Sequence, residues 1–267
     1  MKTIGRFDRF CLRALLCCVL ACAGLFLSVM RCQAAPDVES HANWWIPVVL
    51  EVPITERVHL NVLSENIILD NFQDNAVYQL APKLNITLNK NLDIGAGYNY
   101  ISYLRGPVRT QVLTENRLSQ YVTLKHPMKH VTLETRLMLE EQFITWLNRA
   151  TAQGRWLVGA RAPLGKSHFF AFASNEIVVG FGQAGPLFPT GVRQNRLVAG
   201  LGCHVSKHID VELAYMLFYL QVANNTPDLL DHALVTSLKV TLPTPWLDEH
   251  HVRPREHRTP ATLRPGI

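Results

Sequence analysis

Beyond residue 34 the sequence holds one cysteine, Cys203; the other five of its six stand at positions 11, 17, 18, 22 and 32. A lone thiol excludes an intrachain disulfide and a cysteine-built metal site in that part of the chain. Charge of one sign is equally scarce there. The first 34 residues carry five Lys or Arg and one Asp, so the whole-chain charge of +5 falls to 21 basic against 20 acidic residues over 35–267. A charge near +1 gives no general attraction to nucleic acid. No GxSxG, HExxH or Walker sequence occurs, which removes the nucleophile elbow, the zincin helix and the P-loop.

What the first 34 residues do contain is ordered. Lys2, Arg6, Arg9 and Arg13 precede an almost wholly apolar run at 14–30, and Cys32-Gln33-Ala34 supplies small residues before a cut. That is the layout of a secretory signal peptide, with the mature chain expected to begin just after Ala34 or Ala35. An uncleaved anchor is the competing reading, because the run approaches the length of a spanning helix.

From residue 57 to 243 the chain repeats one pattern, alternation of apolar and polar residues followed by a break. Tyr78, Leu80, Leu84, Ile86 and Leu88 share one parity and Gln79, Lys83, Asn85 and Thr87 the other; Val131, Leu133, Leu137 and Leu139 oppose Thr132, Glu134, Arg136, Met138 and Glu140. This is strand periodicity with two unlike faces, and no amphipathic helix pattern interrupts it. The segments number about ten. Short breaks near 90–91, 127–129, 165–167 and 207–208 alternate with longer ones near 70–75, 105–110, 146–152, 183–191 and 223–230. Short turns at one end and long loops at the other are the signature of a membrane barrel. The expectation is therefore an all-β, antiparallel, up-and-down transmembrane β-barrel of ten to twelve strands over 57–243, even in number, with both ends on the short-turn side. Residues 35–56, with Trp44, Trp45, Pro47 and Pro53, fit either an additional strand or an interfacial segment. Residues 244–267, with four prolines and mixed charge, read as a disordered periplasmic tail. Asn175 and Pro82 sit badly within regular strands, and each suggests a bulge.

Three stretches invite a chemical reading. Gly180-Phe181-Gly182-Gln183-Ala184-Gly185 matches GxGxxG, but Pro186 and Pro189 follow where a helix would have to begin. His250, His251 and His257 lie in the tail and lack metal-site spacing. Asp231 and His232 are neighbours on a strand and so point to opposite faces, which prevents a direct dyad.

The charged residues of the polar parity carry the site expectation. A lumen network of Glu115, Arg117, Glu134, Arg136, Glu140, Arg155, Glu176 and Arg196 follows from placing the polar parity inward. Turns at Met128-Lys129 and Gly165-Lys166 would set Arg117 opposite Glu140, Tyr121 opposite Arg136 and Arg155 opposite Glu176, close enough for charge-assisted hydrogen bonds.

Glu115-Asn116-Arg117 with Gln120, Glu134 and Arg136, Asn175-Glu176, Gln194-Asn195-Arg196, Ala214-Tyr215-Met216 and Asp231-His232 succeed one another on consecutive strands. In these residues the chain resembles, over about 43–243, the bacterial family catalogued as domain of unknown function 2490, grouped with outer-membrane β-barrels. The resemblance implies a barrel fold and an envelope location. That family has no established activity, so it transfers no catalytic residue.

The function expected is an outer-membrane barrel acting as a small channel, transporter or structural component with a charge-paired lumen and little steady conductance. A membrane-embedded hydrolase at the outer rim, or a surface binding protein, ranks behind it. No catalytic residue, cofactor or metal ligand is assigned. The expected partners are outer-membrane lipid and, during biogenesis, the barrel-assembly machinery, with no nucleic acid and the oligomeric state open.

Overall fold

The computed structural model describes residues 38–69, 74–105, 111–185, 188–222 and 227–243. The expected signal peptide and the expected tail with its three histidines lie outside them. The described residues form twelve strands: β1 Val38–Glu39, β2 Ala42–Pro53, β3 Val58–Leu69, β4 Asp74–Asn89, β5 Leu92–Arg105, β6 Gln111–Pro127, β7 Thr132–Ile144, β8 Arg149–Pro163, β9 Phe169–Gly180, β10 Gly191–Ser206, β11 Ile209–Leu220 and β12 Asp228–Thr241. A short 3-10 turn at Thr145–Leu147 is the one helical element among them.

Strands β2 to β12 pair antiparallel with their neighbours in chain order, and β2 then pairs with β12 to close the sheet into a barrel. That seam is parallel, from His232↔Ala42 to Thr241↔Glu51. The two-residue β1 lies on β12 in the same register, with Val38↔Asp228, so β1 and β2 act as one strand. The ten strands expected over 57–243 are β3 to β12, with both ends at the short turns, and β2 adds an eleventh stave, so the barrel's count is odd and not even. In an odd meander the first and last strands run the same way, and a parallel ladder is the way to satisfy both edges. The first stave accordingly starts at the end of the long connections, not beside the end of β12.

The faces divide as the alternation requires. Leu118, Leu137, Trp156, Leu201 and Leu213 are exposed outside the barrel, while Glu115, Arg117, Glu140, Arg155 and Glu176 of the opposite parity are buried within it. The interior also holds a large apolar cluster. Trp45, Ile67, Val77, Ile101, Phe170, Phe172, Val198, Met216 and Phe218 pack together from β2 to β5 and β9 to β11.

Two local irregularities have separate causes. At Pro82 the β4–β5 ladder breaks between Leu80↔Tyr100 and Lys83↔Gly97, while Pro82 stays paired with Val62 of β3. The proline's missing N–H is thereby confined to one side. Asn175 needs no bulge: its register is regular on both sides, and its Nδ2 donates to Asn195 Oδ1 at 3.0 Å while Asn195 Nδ2 donates back at 3.3 Å. The two amides satisfy one another on an otherwise apolar surface.

Gly202 faces inward opposite Phe170, and a Cβ placed on it would collide with that ring. Gly202→Val is therefore expected to cost about 1–3 kcal/mol by overpacking, read as a lower urea midpoint. An unchanged midpoint would mean the ring has room to move.

Candidate functional site

The ion-pair wall of the interior is built by β6 to β10, and β3 to β5 add buried Glu65, Gln79, Lys83 and Asn99. Glu115 and Arg117 occupy successive inward positions of β6, where Arg117 Nε donates to Glu115 Oε1 at 2.7 Å and Nη2 to Oε2 at 3.1 Å. Arg117 Nη1 lies 3.7 Å from Glu140 Oε2 on β7. From β8, Arg155 Nη1 donates to both oxygens of Glu140 at 3.2 Å. Its Nε and Nη2 grip Glu176 of β9 at 3.2 and 2.6 Å. Glu176 also accepts from Arg136 Nη2 at 3.3 Å and from Arg196 Nη1 at 3.4 Å.

Seven of the eight expected residues are thus joined in one chain of ion pairs. Glu134, the eighth, is buried on the same face of β7, one inward position nearer the short turns. Fork geometry and burial make such pairs strong individually. Their net worth is smaller, since each charge has left water.

The expected cross-strand oppositions need correction. The turn between β6 and β7 is closed by the Met128 N–H donating to Val131, so its tip is Lys129-His130 and not Met128-Lys129. Arg117 then faces Gln142, Ser119 faces Glu140, Tyr121 faces Met138 and Thr123 faces Arg136. Between β8 and β9 the Leu164 N–H donates to Phe169, and Leu157, not Arg155, faces Glu176. In both hairpins the turn is displaced by one residue and each partner therefore by two, which preserves the inward face and turns direct partners into diagonal ones. Long Arg and Glu side chains still meet along that diagonal.

Several residues of the network are absent from the sequence expectation. Gln142 Nε2 donates to Glu115 Oε1 at 2.8 Å, Gln153 Nε2 to Glu140 Oε2 at 2.6 Å and Tyr103 Oη to Glu115 Oε2 at 3.0 Å. Arg193 donates through Nη1 to the Oε1 atoms of Gln142 and Gln153 at 2.8 and 3.0 Å. It points inward because the ladder slips between Val192 and Gln194, so that Arg193 and Arg196, of opposite parity, share one face. Inward Gln142 and Gln153 were legible as polar-parity residues; the bulge that turns Arg193 inward leaves no mark in the alternation.

Where the polar wall meets the apolar one, aromatic rings cover guanidinium faces. Arg196 stands 5.3 Å from the Phe218 centroid and 5.7 Å from that of Trp45, and Arg161, which pairs with Glu212 of β11, stands 4.0 Å from Phe170. These are cation–π distances.

Asp231 and His232 diverge as expected. Asp231 accepts from Asn43 Nδ2 at 2.7 Å inside the barrel, and His232 Nδ1 meets the Tyr215 hydroxyl outside it. Gly180 ends β9 and no helix follows it in the described residues, so the GxGxxG sequence lacks the helix N-terminus that would bind a pyrophosphate.

Comparison with known proteins gives three findings. The family model described as "Protein of unknown function (DUF2490)" matches residues 42–228. No curated protein matches the chain. Among solved structures the chain is similar to one titled "NanC porin structure in rhombohedral crystal form", at 10% identity and a TM-score of 0.45, over 75% of this chain and 97% of that one.

Proposed function

The chain belongs to the family described as Protein of unknown function (DUF2490), and from its barrel we propose an integral outer-membrane protein whose interior is shut to steady diffusion, an envelope component and not an open pore. Support for the membrane comes from the outer surface, where every stave from β2 to β12 except β3 carries at least one exposed large apolar side chain. An apolar face of that extent is far beyond the few hundred Å² that soluble monomers tolerate. A polar, charge-bearing interior beneath an apolar exterior is the arrangement of outer-membrane barrels. The secretory leader fits the same location.

One observation carries the closed reading. Side chains that would line an aqueous pore are almost inaccessible to water: Glu140, Glu176 and Arg196 are each 1% exposed. Side chains also bridge distant staves, Arg161 of β8 reaching Glu212 of β11 and Arg193 of β10 reaching Gln142 of β7. The filled interior resembles narrow barrels packed by their own residues more than wide porins.

Planar-bilayer recording tests this. Wild-type protein is expected to give no large, stable openings, while Glu140→Gln should raise leakage by releasing Arg155 and Arg117 from a shared partner. Large steady currents from the wild type would overturn the proposal.

A further inference from the structure

Arg193 differs from the other buried arginines in what faces it. Arg117, Arg136, Arg155, Arg161 and Arg196 each pair with a glutamate. No described carboxylate pairs with Arg193. Its two acceptors are the neutral amides of Gln142 and Gln153, which hand their own N–H groups on to Glu115 and Glu140. The amides therefore act as spacers that hold the nearest negative charges one residue away. Arg193 is nevertheless 1% exposed, and its Nε has no hydrogen-bond partner.

The surroundings add a second donor. Phe188 lies 4.8 Å from the Arg193 guanidinium, and Trp146 packs on the same ring with centroids 6.3 Å apart. Phe188 belongs to an apolar cluster with Ile144, Ala184, Trp146 and Leu147 at the long-connection end of the barrel. Trp146 Nε1 is buried there without an acceptor. A water molecule would satisfy either N–H. It would leave the guanidinium charge without a directly paired anion, and burying an unpaired charge costs more than burying an unpaired N–H.

We propose that this end of the barrel holds a binding site for a small oxyanion, a carboxylate or phosphate, received by Arg193 with the Trp146 indole N–H as a second donor. Only donors are unpaired here, which selects an acceptor; the charge selects an anion; and the apolar cluster admits a hydrocarbon substituent beside the charged group. Arg193 also bridges β10 to β7 in the closed-barrel reading, but that reading rests on the burial of Glu140, Glu176 and Arg196 and is read as current, so recording and binding experiments fail independently.

The test is titration of the detergent-solubilised full-length protein with acetate and, separately, inorganic phosphate at constant ionic strength, followed by tryptophan fluorescence and calorimetry. Saturable binding of either anion is expected, and which one binds identifies the ligand class. Arg193→Gln should weaken it at least about tenfold, the loss of a charge-assisted hydrogen bond. Arg193→Lys should retain part of it, and Trp146→Phe should weaken it less than Arg193→Gln. Gln153→Glu, which brings a carboxylate to Arg193, should abolish binding with the arginine still present. Heat-modifiable gel mobility reports whether each variant is folded. A wild type without saturable binding overturns the proposal whatever the variants do, as does equal binding by folded wild type and Arg193→Gln.

Discussion

Glu176→Gln is expected to destabilise the barrel by about 3–5 kcal/mol, the cost of removing one partner from a buried ion pair. Glu176 is the carboxylate on which Arg136, Arg155 and Arg196 converge. A glutamine at the same place retains one acceptor oxygen and turns a donor toward guanidinium groups that have only donors. Three buried cations would then face a neutral amide, and Glu140, the other carboxylate paired with Arg155, is already held by Arg117 and Gln153 as well. Urea unfolding in lipid or detergent measures the loss. Glu141→Gln on the exposed parity of β7 is the control, with a change of about 0.5 kcal/mol or less. A loss below about 1 kcal/mol for Glu176→Gln would mean that water already solvates the arginines, as it solvates exposed pairs, and the closed interior would have to be abandoned.

Much of this fold is written in the alternation. Where one face is apolar and the other polar, as in β6, β7 and β12, parity assigns every side chain correctly, and the charged residues of the interior come with it. The reading stops where both faces are apolar. In β2, inward Trp45, Pro47 and Val49 alternate with outward Trp44, Ile46 and Val48, so the segment presents no contrast and its role as the closing stave is hidden. The same is true of β11, whose inward Ala214, Met216 and Phe218 build an apolar wall that parity alone would send outward. A half-apolar interior is itself informative, since such a wall has no reason to border a water-filled passage.

Register is the second limit. A turn displaced by one residue moves every partner without moving any side chain to the other face, so hydrophobic patterning cannot detect it. The expected ion pairs form despite the displaced turns because an arginine spans the diagonal as well as the direct step. Arg193 is hidden for a third reason. A bulge changes parity in mid-strand, and nothing in Gly191-Val192-Arg193-Gln194 distinguishes a slipped ladder from a regular one.

The outer surface yields the remaining large effect. Leu137 is 61% exposed on β7 between Val122 of β6 and Trp156 of β8, far from either end of its strand. Val205 is 62% exposed on β10, next to the turn that leads to β11. In aqueous surroundings the two sites are equivalent, and arginine at either should change stability by no more than about 0.5 kcal/mol. In a bilayer they are not. Arginine at mid-height must leave water or deform the membrane, whereas arginine near the rim reaches the headgroups. Leu137→Arg is therefore expected to cost about 2–4 kcal/mol in lipid vesicles and Val205→Arg about 0–1 kcal/mol. Reversible unfolding of both variants in vesicles gives the comparison. The difference between the sites, more than either loss alone, reports the apolar layer around the barrel, because local packing has no depth dependence of its own. Small and equal losses at both positions would place the outer face in water and remove the membrane from the account.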